Sequence, residues 1–215
     1  MQSVSDLTKL RDSVIARCRT LQLLTTGAKT PLGSQDRRNL AFVTIELDNL
    51  VVLGLRQFTK SCLLGCRTAA GQRVLSSSLA SNSEEAAAHI YRVLNPRGFL
   101  KLHSPSSISE GEEIVFRNPK DVEKTLAFYG ATNLTNISLA LSLNANIFGE
   151  AKMLRHFFAH RAKNTYDQVT KFALNLGMPK PRMPEDLIVM GRPSTGVTII
   201  DGWTADVINW FDLAC

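Results

Sequence analysis

The chain has 215 residues, 44% of them hydrophobic and 20% charged, with a formal net charge of +6. That is the composition of a single globular domain able to bury a sizeable core, and it excludes a disordered or fibrous chain. The positive balance permits an acidic partner such as RNA without requiring one.

Chain order gives a succession of helices. From about Ser5 to Leu24 the positions Leu7, Leu10, Val14, Ile15, Cys18, Leu21 and Gln22 follow helical spacing, and Gly27, Pro31 and Gly33 end that segment. Ser34 is placed to cap a long helix over about 35–65, apolar on more than one side and carrying the polar exceptions Glu46, Asp48, Asn49 and Arg56. The charges of Glu46, Asp48, Arg56 and Lys60 interrupt the most apolar stretch, so it should not span a bilayer. Met1–Asp6 has no basic n-region and no apolar signal core. The cysteines Cys18, Cys62, Cys66 and Cys215 read as buried thiols rather than a disulfide framework or a zinc pair. A soluble, cytoplasmic protein with no membrane attachment is the expectation.

An irregular insertion is expected over about 66–118. It holds a short helix opened by Ser83-Glu84-Glu85, a loop over 96–113 and a strand-like run at 113–116. Asn118-Pro119 should cap and open a helix reaching Tyr129, with another over 134–143. One long helix is predicted over 147–176, stopped by Gly177 and Pro179. A small hairpin follows at about 186–201, its strands 187–190 and 197–200, and a last helix covers about 203–213. The fold class is mainly α, a helical bundle with small strand additions, read as one domain over 1–215.

The long helix carries the chemistry. At about 100° per residue, Ile147, Ala151, Leu154, Phe158, Thr165, Val169, Phe172 and Leu176 form its core stripe. His156, His160, Lys163 and Asp167 lie opposite, with Arg155 on the flank, about 140° from His160. Glu46, Asp48 and Arg56 either form a buried polar network behind this helix or make simple surface ion pairs.

Arg155-His-Phe-Phe-Ala-His160 resembles the R-x4-6-H motif of the HEPN superfamily, all-helical proteins that include many metal-independent RNases. Apolar residues precede the arginine and Ala159 precedes the histidine, as in that family's helix; His156 stands where the family commonly has Asn or another polar residue. Arg97 and His103 also have an allowed spacing, but in a proline-flanked segment rather than a helix. The resemblance implies an endoribonuclease that needs no metal or other cofactor and cleaves RNA through attack by its own 2′-hydroxyl. Arg155 and His160 would be catalytic, with His156, Arg161, Lys163, Asn164 and Tyr166 binding or positioning RNA. It also implies a homodimer, a toxin or defence setting, and an antitoxin or regulatory protein as partner.

Other readings stay open. Met153 and Phe157 suit either the dimer contact or packing within the subunit. Tyr166 suits either base stacking or packing. His156 and His160 have the spacing of two metal ligands, but Phe157 replaces the glutamate of H-E-x-x-H and no third ligand is evident. The alternative to an enzyme is a catalytically silent HEPN-like module that binds RNA, a nucleotide or a protein.

Overall fold

Periodicity and caps become helices much as the pattern dictates. The structure, a computed structural model, describes residues 6–102 and 106–215. It is mainly helical, at 64% helix, with ten α-helices among the described residues. Helix α1 (Leu7–Leu23) buries Leu7, Leu10, Val14, Cys18 and Leu21. Helix α2 (Ser34–Leu63) starts where expected, but Asp36 supplies the cap, its Oδ2 accepting from the Gly33 N–H at 3.0 Å. Helix α3 (Ser83–Leu94) is capped by Asn82, and the four-residue α4 (Pro96–Phe99) occupies part of the expected loop. Helices α5 (Pro119–Phe128) and α6 (Leu134–Ser142) follow, Asn118 capping α5 through the Lys120 N–H.

The long helix expected over 147–176 is instead two. Helix α7 (Ile147–His160) ends at Arg161, which takes a left-handed φ of 46°, and α8 (Lys163–Asn175) begins after Ala162. Thr165 makes the break local. Its Oγ1 accepts from the Ala162 N–H and donates to the Ala162 carbonyl, satisfying groups that a continuous helix would have paired. Gly177, at φ 70°, stops α8 as its backbone freedom predicts.

The expected hairpin shrinks to one antiparallel bridge, Gly191 to Thr198. Residues Pro184–Ile188 form a short helix, α9, and α10 (Ile199–Ala214) starts four residues before the expected Trp203. Thr198 opens it: its Oγ1 accepts from the Asp201 N–H and donates to Asp201 Oδ2. A Cβ on Gly191 would lie 2.7 Å from the Gly196 carbonyl oxygen, so only glycine allows this close approach. Residues 113–116 form no strand, and a 3₁₀ turn, Glu110–Glu112, precedes them.

Contacts cluster the chain into two compact units. One comprises 1–14, 51–144 and 209–215. In it α3 packs on α4 and α5, and α5 on α6. Trp210 meets Phe58 edge-on at 5.5 Å, and Gly54 leaves the space that the Phe211 ring fills. Lys60 donates to Ser83 Oγ at 3.0 Å and pairs with Glu113, which also takes Arg56 Nη1 at 3.0 Å. Cys62, Cys66 and Cys215 are buried free thiols here, and burial pushes the Cys62 and Cys215 thiols upward.

The other unit comprises 15–50 and 145–208. Here α7 packs on α8, and α8 on α9. Asp206 Oδ2 accepts from the Ile147 N–H at 3.1 Å, tying the start of α7 to α10. Glu150 binds Arg192 and accepts from Trp203 Nε1 at 2.8 Å. Cys18, buried and free, is pushed up to about 12 by burial, which makes it an inert packing group. No helix among the described residues is long and apolar enough to cross a membrane.

Candidate active site

Helix α7 sorts its residues by periodicity. Ile147, Ala151, Leu154 and Phe158 are buried on the predicted stripe, fixing the helix against its unit. Phe157 is buried as well, 8% exposed, with ring contacts to Phe158 at 5.4 Å and Tyr166 at 6.4 Å. It therefore packs within the subunit, and of the two suggested dimer contacts only half-buried Met153 remains on the surface.

Arg155 does not stand free on the flank. Its Nε lies 3.1 Å from Asp48 Oδ2, an ion pair between α7 and α2. Asp48 is only 1% exposed, whereas 36% of the Arg155 side chain remains accessible. Nε has no hydrogen-bond partner among the described residues, so the contact is an ion pair by charge and distance; it holds the root of the guanidinium beside a carboxylate withdrawn from water and leaves part of it to a ligand. Of the two accounts of the α2 charges, Asp48 follows the buried-network one; Glu46 makes a surface pair with Arg17 at 2.8 Å.

His156 and His160 are exposed on the outer face, one turn apart, with ring centroids 4.6 Å apart and edge-to-face. No hydrogen bond or ion pair joins Arg155 to His160, in keeping with their angular separation on the helix. The exposed Arg161 follows directly, its N–H donating to the Phe157 carbonyl at 2.6 Å. Lys163 and Asn164 are exposed at the start of α8, and Asn164 Oδ1 accepts from the Thr165 N–H. The structure thus gathers His156, His160, Arg161, Lys163 and Asn164 around the α7–α8 turn. Tyr166 is half-buried, its hydroxyl donating to the Pro181 carbonyl at 3.0 Å and Lys180 Nζ 6.0 Å from its ring.

Of the competing pair, Arg97 is exposed on α4, and His103, like Pro105, lies outside the described residues. Among the described residues no group of three or more His, Cys, Asp or Glu side chains is arranged to hold a metal ion.

Sequence reasoning did not find the groove that α7 and α8 form together. It has a volume of about 510 Å³ and is lined by Lys152, Met153, His156, Gln168, Lys171 and Phe172, among others. Phe172, assigned to the core stripe, is half-buried and faces this groove; in α8 the buried positions are Thr165, Val169 and Ala173. The break shifts the register. The lysines at 152 and 171 were visible in the sequence, but nothing linked them. In one straight helix they would lie about 28 Å apart.

Compared with known proteins, the chain matches no family model, no curated protein and no solved structure.

Proposed function

We propose that this protein is a metal-independent endoribonuclease of HEPN-like type, working as a homodimer in a reducing, cytoplasmic setting. The observation that carries the reading is a pair of exposed imidazoles one turn apart, on the same helix as a guanidinium anchored by a buried carboxylate. Imidazole is the side chain suited to exchanging protons near neutral pH. A fixed guanidinium suits a phosphate on which charge grows.

In the reaction, His160 takes the proton of a ribose 2′-hydroxyl as its oxygen attacks the adjacent phosphorus. The bond to the 5′-oxygen breaks, and that oxygen leaves with a proton delivered by a second imidazole, that of His156. The products are a 2′,3′-cyclic phosphate and a 5′-hydroxyl. Because Arg155 and His160 point about 140° apart on α7, the guanidinium that meets a given His160 comes from a second copy of the chain. Arg161, Lys163 and Asn164 bind the RNA backbone, and Tyr166 buttresses the turn from within. A toxin or defence role, restrained by an antitoxin or regulator, is the setting that accompanies this chemistry.

The Arg155–Asp48 pair also favours a second reading, a silent RNA-binding module, because it occupies one edge of the arginine. The two are separated by incubating the protein with total RNA in EDTA. The enzyme reading expects cleavage by wild type, none by Arg155→Ala or His160→Ala alone, and recovery when the two variants are mixed. In a mixed dimer one site regains both groups. Cleavage that persists in both single variants contradicts the assignment, and no cleavage by the folded dimer favours the binding module.

A further inference from the structure

The geometry points to the α7–α8 groove as the seat of a single-stranded RNA segment, one base lying on Met153 and Phe172 with its flanking phosphates on Lys152 and Lys171. The groove's volume of about 510 Å³ falls within the roughly 300–1,000 Å³ of sites that enclose small ligands. Its character is specific. Half-buried Met153 and Phe172 supply an apolar and aromatic surface, while exposed Lys152 and Lys171 bring one cation from each helix. Gln168 and Asn175 add amides able to donate to and accept from a base edge.

No carboxylate lines it. Of the acids next to lining residues, Glu150 is committed elsewhere, to Arg192 and Trp203, and exposed Asp167, one turn before Lys171, makes no ion pair with it. An aromatic platform flanked by exposed cations that form no ion pair among the described residues matches a nucleotide strand, whose bases stack and whose phosphates are anionic. A neutral apolar peptide would leave the lysines without partners.

The groove also leads to the chemistry. His156 lines it and meets His160 edge-to-face, so a strand seated there is delivered to the imidazole pair. This deepens the proposed function, and rests on it for the consequence of binding, by making Lys152, Lys171 and Phe172 substrate-positioning residues.

The test measures fluorescence anisotropy of a labelled 2′-O-methyl oligouridine of about 12 nucleotides, which the proposed reaction cannot cleave. Wild type should bind it, and Lys120→Gln, which removes an exposed lysine of the other unit, equally well. Lys152→Gln/Lys171→Gln should bind at least tenfold more weakly, with the slope of log K against log salt reduced by about 1.4, the share of two phosphate contacts on a single strand. Gly149→Trp supplies a variant that keeps the fold. A Cβ at Gly149, which also lines the groove, meets nothing within 4 Å, so a side chain can start there without a clash, and an indole over the groove should weaken binding about tenfold. An abasic oligomer of equal charge should bind about tenfold more weakly than the oligouridine.

Undiminished binding by the folded double-lysine variant or by Gly149→Trp overturns the groove assignment, as does failure of wild type to bind. Equal affinity for the abasic oligomer overturns the base seat. Groove-dependent binding without cleavage of any natural RNA supports the groove and defeats the nuclease, so the two proposals fail separately.

Discussion

Two buried carboxylates, one in each unit, are used in opposite ways. Glu113 has 4% of its side chain exposed, and its partners Lys60 and Arg56 are 4% and 15% exposed, so water is almost shut out of the whole group. Asp48 is as deeply buried, but Arg155 keeps 36% of its side chain accessible. The first group can only hold its unit together. The second anchors one end of a cation and presents the other. Burial of the carboxylate is common to both, and what separates a structural cation from a candidate functional one is the exposure of its far end.

Glu113→Ala breaks the closed network and should have the largest effect on stability. It leaves two cations with little water, at a cost of about 3–5 kcal/mol. Urea unfolding should show a midpoint lowered accordingly with an unchanged slope, while RNA affinity of the folded fraction stays the same. A loss under about 1 kcal/mol would mean that the network is as solvent-screened as a surface pair.

Asp48→Asn should cost less, about 1–3 kcal/mol, because the released Arg155 can turn to water. Here activity is the sharper readout. Cleavage should fall at least tenfold as the guanidinium loses its anchor, whereas His160→Ala should abolish cleavage yet shift stability by no more than about 0.5 kcal/mol. An Asp48→Asn protein that cleaves like wild type would make this pair structural too and erase the contrast.

A smaller effect is set by pH. Burial, opposed by Glu85 and aided by Arg92, lowers the pKa of His89, whose ring stacks on Tyr129 at 4.7 Å. A lowered folded pKa means that the unfolded chain takes up the proton first. The contribution of neutral His89 is therefore complete above the ordinary histidine value of about 6.5 and is lost as pH falls below it. The urea midpoint of wild type should drop between pH 7.5 and 5.0 by more than that of His89→Phe, which keeps the stack. Equal drops would place the acid sensitivity elsewhere.

Most helices were legible because their ends are chemical. Asn118-Pro119 and Gly177 each satisfy or interrupt backbone hydrogen bonds in a way that residue type announces, and the helix expected to open at Ser83-Glu84-Glu85 does so, with Asn82 rather than Ser83 as its cap. The break after His160 was not, since Arg161 adopts the left-handed region without being glycine or asparagine and Ala162 is a poor cap. The periodicity of 147–176 therefore ran straight through it.

That one turn explains what was missed at the site. Arg155, His156 and His160 could be picked out by type and spacing. The groove exists only because α8 folds back on α7, so Lys152 and Lys171 become neighbours through tertiary structure alone. Asp48 stood out as a polar residue in an apolar helix, but its pairing with Arg155 is a long-range contact that no local pattern encodes. The strands over 187–190 and 197–200 failed for a similar reason: short apolar runs do not distinguish strand from helix, and Pro184 and Thr198 open helices instead.

A DNA oligonucleotide containing a single ribonucleotide, incubated with the protein in EDTA, isolates the 2′-hydroxyl as the attacking group. Attack by a 2′-hydroxyl predicts one cut, on the 3′ side of that ribonucleotide, leaving a 2′,3′-cyclic phosphate and a 5′-hydroxyl. Cutting at deoxyribonucleotides, a 3′-hydroxyl product, or an intact strand after incubation with folded protein would contradict it.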